Sequence, residues 1–527
     1  MNYSHYLWLS ASLLPALMPS SAVAQKAEKP NIVFILCDDM GYGDLACYGQ
    51  KYINTPNLDK MASNGMLFTQ AYAGSPVSAP SRATMMTGQH TGHTHIRDNK
   101  EYWSGQVQYG ICTDYAIAGQ EPLDPSRPVI PEIMKQNGYR TGQFGKWAGG
   151  YEGSVSTPDL RGIDEFYGYI CQYQAHLYYP NFMNRYSKKA GDKEVIRMEL
   201  TDNTQYPMYG EGYEKRTQYT GDMIHQAAMD FIRDQKADDP FYALLTYTLP
   251  HAELYQPNDS ILQYYVQKFS DDSNYPGSDG KNAYTNGTRT GGVAGSRYNP
   301  TLNRHAQFAA MITRLDVYVG EIMDLLKEKG LYDNTVIIFT SDNGPHEEGG
   351  ADPKYFGRDG KLRGVKRDVY EGGFRVPFIV QWPGVVKENS VSDHICAFWD
   401  LMPTFTEIAG GKISDYVPQT DGISFLPTLT GKKKQKEHEF LYWEFMGKYA
   451  VRQGDWKLIY KRQPPKSKGE KSEMGYELYN LKTDLHEDNN LINDPKYGKV
   501  VKRLQKIMKE QHTPVTTFET KRSTANS

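Results

Sequence analysis

The stretch Asn31-Ile-Val-Phe-Ile-Leu-Cys37-Asp38-Asp39 sets the reading of the whole chain. Ile32–Leu36 is an unbroken apolar run, the pattern of a strand covered on both faces, as in parallel sheets. Two aspartates follow at once, so this strand delivers acid groups at its carboxyl end. Val336–Thr340 repeats the pattern and runs into Ser341-Asp342-Asn343-Gly344. Phe241–Leu249 runs into Pro250-His251, and Tyr139–Phe144 into Gly145-Lys146. Leu67–Tyr72 and Phe378–Gln381 read as further strands. Helical patterns separate them at Thr55–Asn64, Ile130–Asn137, Thr217–Gln235 and His305–Lys329. In the last of these, Phe308, Ile312, Leu315, Val319, Ile322 and Leu326 recur at three- and four-residue spacing, and Gly330 supplies the stop. This alternation predicts an α/β fold with a large, mixed, mostly parallel sheet flanked by helices.

The remainder sets the limits. The chain has 527 residues, 39% of them hydrophobic, which supports a sizeable core and excludes a disordered or collagen-like polymer. Lys+Arg number 59 against 62 Asp+Glu, a balance that argues against a nucleic-acid partner. Mean hydropathy is −0.65, and no internal apolar run is long enough to predict a membrane span. Residues 1–24 read as a signal peptide with Ala22-Val23-Ala24 as cleavage site. Gln25 rather than Cys follows, so the expected location is periplasmic or secreted without a lipid anchor. Tyrosine is abundant (40), which suits sugar sites and cores alike. The five cysteines are irregularly spaced; they suggest no zinc ribbon and leave one or two disulfides open. The expected organisation is a catalytic domain over 25–430, a C-terminal α+β subdomain over 431–515 and a polar tail over 516–527, with Thr513–Ser527 read as a disordered end. Lys432–Lys436 reads as a charged linker. Short strands with antiparallel pairing follow at Phe440–Phe445, Tyr449–Arg452, Trp456–Tyr460 and Tyr476–Asn480, then a helix over Pro495–Gln511. Residues 252–303 read as one long polar loop.

Ligands of open α/β sheets bind beyond the carboxyl ends of the strands. Four predicted strands bring Asp38, Asp39, Asp342, Asn343, His251 and Lys146 to that rim. Three carboxylates and an amide oxygen form a hard, oxygen-only donor set that suits Ca²⁺, with Mg²⁺ as the other fit, and not Zn²⁺. Either acidic pair alone reads equally as a turn or cap. The segment Ser78-Ala-Pro80-Ser81-Arg82 adds a small nucleophile at a helix start, where free N–H groups favour an anion. Arg82 lies one turn on, on the same face. The bland alternative is an N-cap serine with a solvated arginine.

These residues resemble the type I, formylglycine-dependent sulfatase family, in its bacterial carbohydrate branch. Ser78-Ala-Pro-Ser-Arg with Thr87-Gly88 is similar to the family signature. Gly145-Lys146-Trp147, Asp342-Asn343-Gly344, Leu362-Arg-Gly-Val-Lys366, Glu371-Gly-Gly, Asp421-Gly-Ile-Ser and Glu477-Leu-Tyr-Asn-Leu match its other elements in order. The resemblance implies an alkaline-phosphatase-like fold and a sulfuric ester hydrolase. It implies oxidation of Ser78 to formylglycine by a maturation enzyme, whose hydrate is the nucleophile and a metal ligand. It implies Asp38, Asp39, Asp342 and Asn343 as Ca²⁺ ligands, with Asp342 also taking the nucleophile's proton. Arg82, Lys146 and Lys366 would neutralise charge, and His251 would protonate the leaving oxygen. The implied partner is a sulfated glycan, cut in exo mode at galactose or N-acetylgalactosamine. Ala148 departs from the family, which places a histidine there; Asp342 or His176 could take over its role. His176, Glu348 and Arg367, and further off Arg97 and Asn99, are candidate sugar contacts. The alternatives are a phosphatase, phosphodiesterase or phosphonate hydrolase of the same superfamily, or a glycan-binding relative without catalysis.

Overall fold

Residues Ile32–Leu36 are fully buried, each contributing roughly 1.5–3 kcal/mol on leaving water. They form the middle of β1 (Asn31–Cys37) in a computed structural model that describes residues 29–103, 106–108, 118–270, 272–279, 297–464, 471–515 and 517–522. The other strands of the main sheet are β2 (Met66–Phe68), β3 (Arg140–Lys146), β4 (Glu165–Tyr169), β5 (Phe182–Ser187) and β6 (Ile196–Glu199). They continue with β7 (Phe241–Thr246), β8 (Thr335–Ser341), β9 (Phe378–Gln381) and β10 (Ser390–Ser392). The order across the sheet is β6-β5-β4-β3-β7-β1-β8-β9-β2-β10. The five central strands, β4 to β8 in that order, run parallel, and antiparallel strands extend the sheet on both sides. The mixed, mostly parallel sheet is therefore as expected.

Helices cover both faces. On one side lie α1 (Pro56–Ser63), α4 (Thr220–Arg233) and α6 (Arg304–Glu328), packed on Val33, Ile35, Ala243 and Ile337. On the other lie α2 (Ser78–Thr87), α3 (Ile130–Gln136) and α7 (Leu401–Ile408), packed on Ile32, Phe34, Tyr242 and Ile338. That two-sided cover explains why the β1 sequence shows no polar alternation.

The structure corrects four expectations. Leu67–Tyr72 is not one strand: β2 ends at Phe68, and Ala71–Tyr72 pairs instead with Cys396–Ala397. The segment read as a loop over 252–303 contains α5 (Ser260–Lys268), capped by the Asp259 carboxylate on the Ile261 and Leu262 amides, with Leu262 and Tyr265 buried. Strands β4, β5 and β6 escaped notice: β4 is short and interrupted by Gly168, and β5 and β6 are partly or wholly exposed and mix polar with apolar residues. The tail is ordered through Thr513–Val515 and 517–522: Thr513 bonds Gly92, Val155 donates to the Thr520 carbonyl, and Arg522 donates to the Gly153 carbonyl. Residues 1–24 and Cys112 lie outside the described residues. Cys37, Cys47, Cys171 and Cys396 are free thiols. Among the described residues no helix is long and apolar enough to cross a membrane.

A second, antiparallel sheet of four strands comprises β11 (Leu441–Phe445), β12 (Lys448–Gln453), β13 (Trp456–Arg462) and β14 (Met474–Asn480), with α9 (Gly498–Glu510) packed on it. Between α7 and this sheet lies the short helix α8 (Leu426–Thr430). Trp443 fastens the sheet to the larger body: its ring stacks on Phe374 at 4.3 Å and its indole N–H donates to the Ala73 carbonyl at 3.0 Å. A buried charge cluster adds to the joint, with Lys457 Nζ at 2.9 Å from both Glu371 and Glu487.

Two outcomes follow for stability. Trp443→Ala should lower unfolding free energy by about 3–5 kcal/mol, read as a lower denaturation midpoint. Burial, opposed in part by the Asp421 carboxylate, pushes the His90 imidazole down to about 4. Between pH ~6.5 and 4 the unfolded chain therefore binds a proton that the folded chain refuses, and stability falls as pH falls, by up to about 3 kcal/mol. His90→Gln should flatten that slope in pH-dependent denaturation curves.

Candidate active site

The pairing of β1 with β8 puts Cys37 opposite Ser341. The next residues on each chain, Asp38-Asp39 and Asp342-Asn343, therefore emerge side by side. The turn after β1 is held in a strained form. Asp39 has φ +65, a left-handed conformation rare outside glycine. Three bonds hold it there: Asp39 N–H to Asp342 Oδ1 at 3.1 Å, Met40 N–H to Ser341 Oγ at 2.8 Å, and Arg358 to the Asp39 carbonyl at 3.0 Å. Arg358 is fully buried, bonds both Asp44 oxygens and donates to the His346 carbonyl at 3.1 Å. Asp44, Arg358 and His346 were missed by the sequence reading; only the crowding of charged residues near glycines at 41–44 and 357–360 hinted at them.

Helix α2 points its first turn at this cluster. Ser78 is its first residue, and Val77 at the N-cap makes no side-chain cap bond, so first-turn N–H groups stay available for an anion. Ser78 Oγ donates to Asp38 Oδ1 at 2.8 Å and lies 3.4 Å from Asn343 Oδ1. Arg82 bonds Asp342 Oδ2 through Nε at 2.9 Å and a second nitrogen at 2.8 Å. Lys146, from the end of β3, reaches Asp38 Oδ2 at 2.6 Å. The amide of Asn343 donates to Asp39 Oδ1 at 2.6 Å, and Lys366 Nζ donates to Asp39 Oδ2 at 2.7 Å. All nine-tenths or more buried, three carboxylates face three cations. Such burial is tolerable only with this pairing, because an isolated buried charge costs several kcal/mol.

The electrostatics divide the acids. Burial alone would raise Asp38, but Lys146, His251 and Arg82 hold it well below the usual carboxylate range. Asp39 is likewise lowered against burial, chiefly by Lys366 and His251. Asp342 goes the other way: burial and the Asp38 charge push it up to about 7, despite Arg82 and Lys146. A carboxyl raised in this way among oxygen donors is what a divalent cation would hold ionised. The donor set Asp38, Asp39, Asp342, Asn343 and Ser78, all oxygen, fits a hard cation. His251 lies 3.3 Å from Asp39, but its Nε2 accepts from Lys366 at 2.9 Å and its Nδ1 donates to the Ala252 carbonyl at 2.5 Å. A neighbouring ammonium makes it a poor metal ligand.

Beyond Lys366 the site continues as a second group. Glu348 lies 3.5 Å from Lys366, 3.8 Å from His251 and 2.5 Å from Arg367, and accepts from the Tyr298 hydroxyl at 2.7 Å. Against burial, Arg367 and Lys366 hold its carboxyl well below the usual range. His176 stacks on His251, centroids 4.5 Å apart, and on Tyr298 at 5.8 Å. Its Nδ1 is buried without a hydrogen-bond partner among the described residues, and burial lowers its proton affinity. Lys366, His251, Glu348, Arg367 and His176 thus gather next to the Ser78 cluster. Arg97 and Asn99 are not brought there. Arg97 is spent on the Thr94 carbonyl, Glu444 and Thr513, tying the loop after α2 to the small sheet. Asn99 makes no contact with the cluster among the described residues. Ala148 is buried, and the Gln172 amide donates to its carbonyl at 2.9 Å. His176 contacts His251 and not Ser78, while Asp342 is held by Arg82. The carboxylate in hydrogen-bond contact with Ser78 is Asp38.

Comparison with known proteins agrees with this architecture. The family profile described as Sulfatase matches residues 30–411, and one described as N-sulphoglucosamine sulphohydrolase, C-terminal, matches residues 364–513. N-acetylgalactosamine-6-sulfatase of Rattus norvegicus is 30% identical over 427 residues, covering 79% of this chain and 69% of that protein. N-acetylgalactosamine-6-O-sulfatase of Bacteroides thetaiotaomicron is 27% identical over 544 residues, covering 93% and 94%. Among solved structures, Ps i-CgsB in complex with k-i-k-neocarrahexaose superposes with a TM-score of 0.65 at 24% identity, over 93% of this chain and 95% of that one. At that identity the likeness speaks for the fold alone, the alkaline-phosphatase-like fold expected from the sequence. The family match spans most of the chain and includes every strand that carries a site residue, so the chain belongs to the sulfatase family and is a sulfuric ester hydrolase.

Proposed function

We propose that the protein removes sulfate from a glycan sugar of galactose configuration, acting at a chain end, with formylglycine derived from Ser78 as nucleophile and Ca²⁺ as resident cation. The observation that carries the reading is Ser78 Oγ at 2.8 Å from Asp38, at an uncapped helix start ringed by Arg82, Lys146 and Lys366. Export to the periplasm or beyond, and a maturation enzyme that oxidises Ser78, belong to the same proposal. So do the domain limits 25–430 and 431–515.

The charge balance suits an anionic ester. Asp38, Asp39 and Asp342 cancel Arg82, Lys146 and Lys366. A divalent ion held by Asp38, Asp39, Asp342, Asn343 and the modified Ser78 would leave a local excess of positive charge and polarise a sulfate oxygen. The modification supplies two hydroxyls on one carbon, one to attack sulfur and one to release sulfate afterwards. Asp38, in contact with the Ser78 hydroxyl, or Asp342, whose proton affinity is raised, takes the proton of the attacking hydroxyl. Arg82, Lys146 and Lys366 stabilise charge on the sulfuryl oxygens as the ester bond breaks. His251 protonates the departing sugar oxygen. Burial and Lys366 lower its proton affinity in the free protein, in that order. An anionic sulfate drawing Lys366 onto itself would reverse the second effect and load the imidazole for that step.

The sugar reading rests on His176, Glu348 and Arg367. An unpartnered imidazole nitrogen beside His251 suits an axial hydroxyl next to the reacting ester, and Glu348 with Arg367 suits neighbouring ring hydroxyls. The named activity of the rat and Bacteroides relatives is desulfation of N-acetylgalactosamine. BT4656, solved with its substrate D-glucosamine-2-N,6-O-disulfate, shares the fold at 20% identity and a TM-score of 0.61.

The decisive experiment is a screen of the enzyme, co-expressed with a maturation enzyme, on mono-sulfated galactose, N-acetylgalactosamine and N-acetylglucosamine. Mass spectrometry of the Ser78 peptide should show a loss of about 2 Da, the two hydrogens removed on oxidation. Ser78→Ala should lower turnover by at least about 10³-fold, and chelation followed by Ca²⁺ should abolish and restore it. Equal or faster hydrolysis of sugar phosphates by unmodified Ser78 would instead identify a phosphatase. His251→Gln should reduce kcat/KM on sugar sulfates by about 10²–10⁴-fold. On an aryl sulfate, whose leaving group needs no proton, the same change should have little effect; an equal loss on both would remove His251 from the acid role.

A further inference from the structure

Away from the Ser78 site, a cleft of about 460 Å³ opens between α7, α8 and the loop 431–436. Its walls are Pro403, Ile413, Ile423, Pro427 and the backbone of Gly411 and Gly422. Its rim carries Lys412, Lys433, Lys434 and Lys436, all exposed. None of these four ammonium groups has a carboxylate within ion-pair distance among the described residues. The single acid in the lining, Glu407, accepts from the Ser424 hydroxyl at 2.6 Å. The chain as a whole carries a formal charge of −3, so this is a local reversal of sign.

The lysine loop is built, not slack. The sequence reads it as a linker, but Gln435 turns inward: its carbonyl oxygen accepts from the Thr428 amide at 3.1 Å and hydroxyl at 2.8 Å, and its amide donates to the Ser424 carbonyl at 2.9 Å. Gly431, with φ +64, ends α8 and turns the chain into the loop. On the far side His438 bonds Asp400 at 2.8 Å, and Asp400 also receives the Ile423 amide. Gly431 and the pinned Gln435 bracket Lys433 and Lys434, and Gln435 and His438 bracket Lys436, so these lysines sit at the rim with their heads in solvent. Fixed cations above a shallow floor of proline and isoleucine suit a repeating polyanion with an uncharged ring face between its charges.

We propose that this cleft is a second, non-catalytic binding site for the sulfated polysaccharide whose end the Ser78 site trims. The choice of ligand rests on the sulfated-glycan reading above; the anion-binding character rests on the cleft. A site of this kind would hold the polymer near the enzyme while successive ends are presented, adding avidity without new chemistry.

The test uses the full chain in the Ser78→Ala form, so that binding is scored without turnover, and a variant with Lys412, Lys433, Lys434 and Lys436 all changed to Gln. The probe is chondroitin sulfate, with chemically desulfated chondroitin and a DNA duplex as controls, in affinity electrophoresis at ~0.1 M salt. The unsubstituted protein should be retarded by the sulfated polymer alone, and the quadruple variant should bind it at least about tenfold more weakly. With Ser78 intact and matured, the quadruple variant should keep its kcat/KM on a mono-sulfated sugar and lose it on the polymer. Equal retardation of both proteins would overturn the site, and equal binding of the DNA duplex would overturn its assignment to a glycan. Failure of desulfation with lysine-dependent binding intact would count against the catalytic reading and leave this one standing.

Discussion

Two parallel strands in register, β1 and β8, bring four polar residues to one point on an otherwise apolar sheet. Cys37 pairs with Ser341, so Asp38-Asp39 and Asp342-Asn343 have to share a space closed to bulk solvent. The rest of the active end answers that constraint. Arg82 comes from the helix that carries Ser78, Lys146 from the end of β3, and Lys366 from the loop before β9. Without those three cations the acid cluster would be untenable, and with them it is poised for an anionic ligand. The left-handed turn at Asp39 is part of the same arrangement, held by Arg358 from behind.

The strand ends also explain which parts of the molecule were legible in the sequence. β1, β7 and β8 are apolar through their middles and buried along their whole length, because both faces are covered, and their starts fall close to the expected ones. The acids and the lysine that follow them appear in sequence as abrupt changes of character. β5 and β6 lie at one edge of the sheet with exposed polar residues and give no such contrast. The helix at Ser260–Lys268 was hidden inside a polar region, although Asp259 is an ordinary capping residue there.

Among the candidate sugar contacts, packing decides which of them lie beside the Ser78 cluster. Arg367 follows Lys366 directly in the sequence, and Glu348, 18 residues earlier, lies 3.5 Å from Lys366 and 2.5 Å from Arg367. Arg97 lies within the segment that follows α2, and sequence proximity to Ser78 suggested a shared site. In the fold that segment turns toward Glu444 of the small sheet, and Arg97 is consumed by the joint. Arg358 and Asp44 show the converse. They are 314 residues apart, and only the tertiary fold brings them together under the Asp39 turn.

The ordered tail has a consequence for biogenesis. Thr513 closes on Gly92 across 421 residues, among the longest separations in the molecule. Long-range closures form late, because the loop must first be brought together. On a ribosome this bond can form only after residue 513 has been made, so a chain truncated shortly before it would keep every group of the active end and the Arg97–Glu444 tie, and lack only the clasp at Gly92.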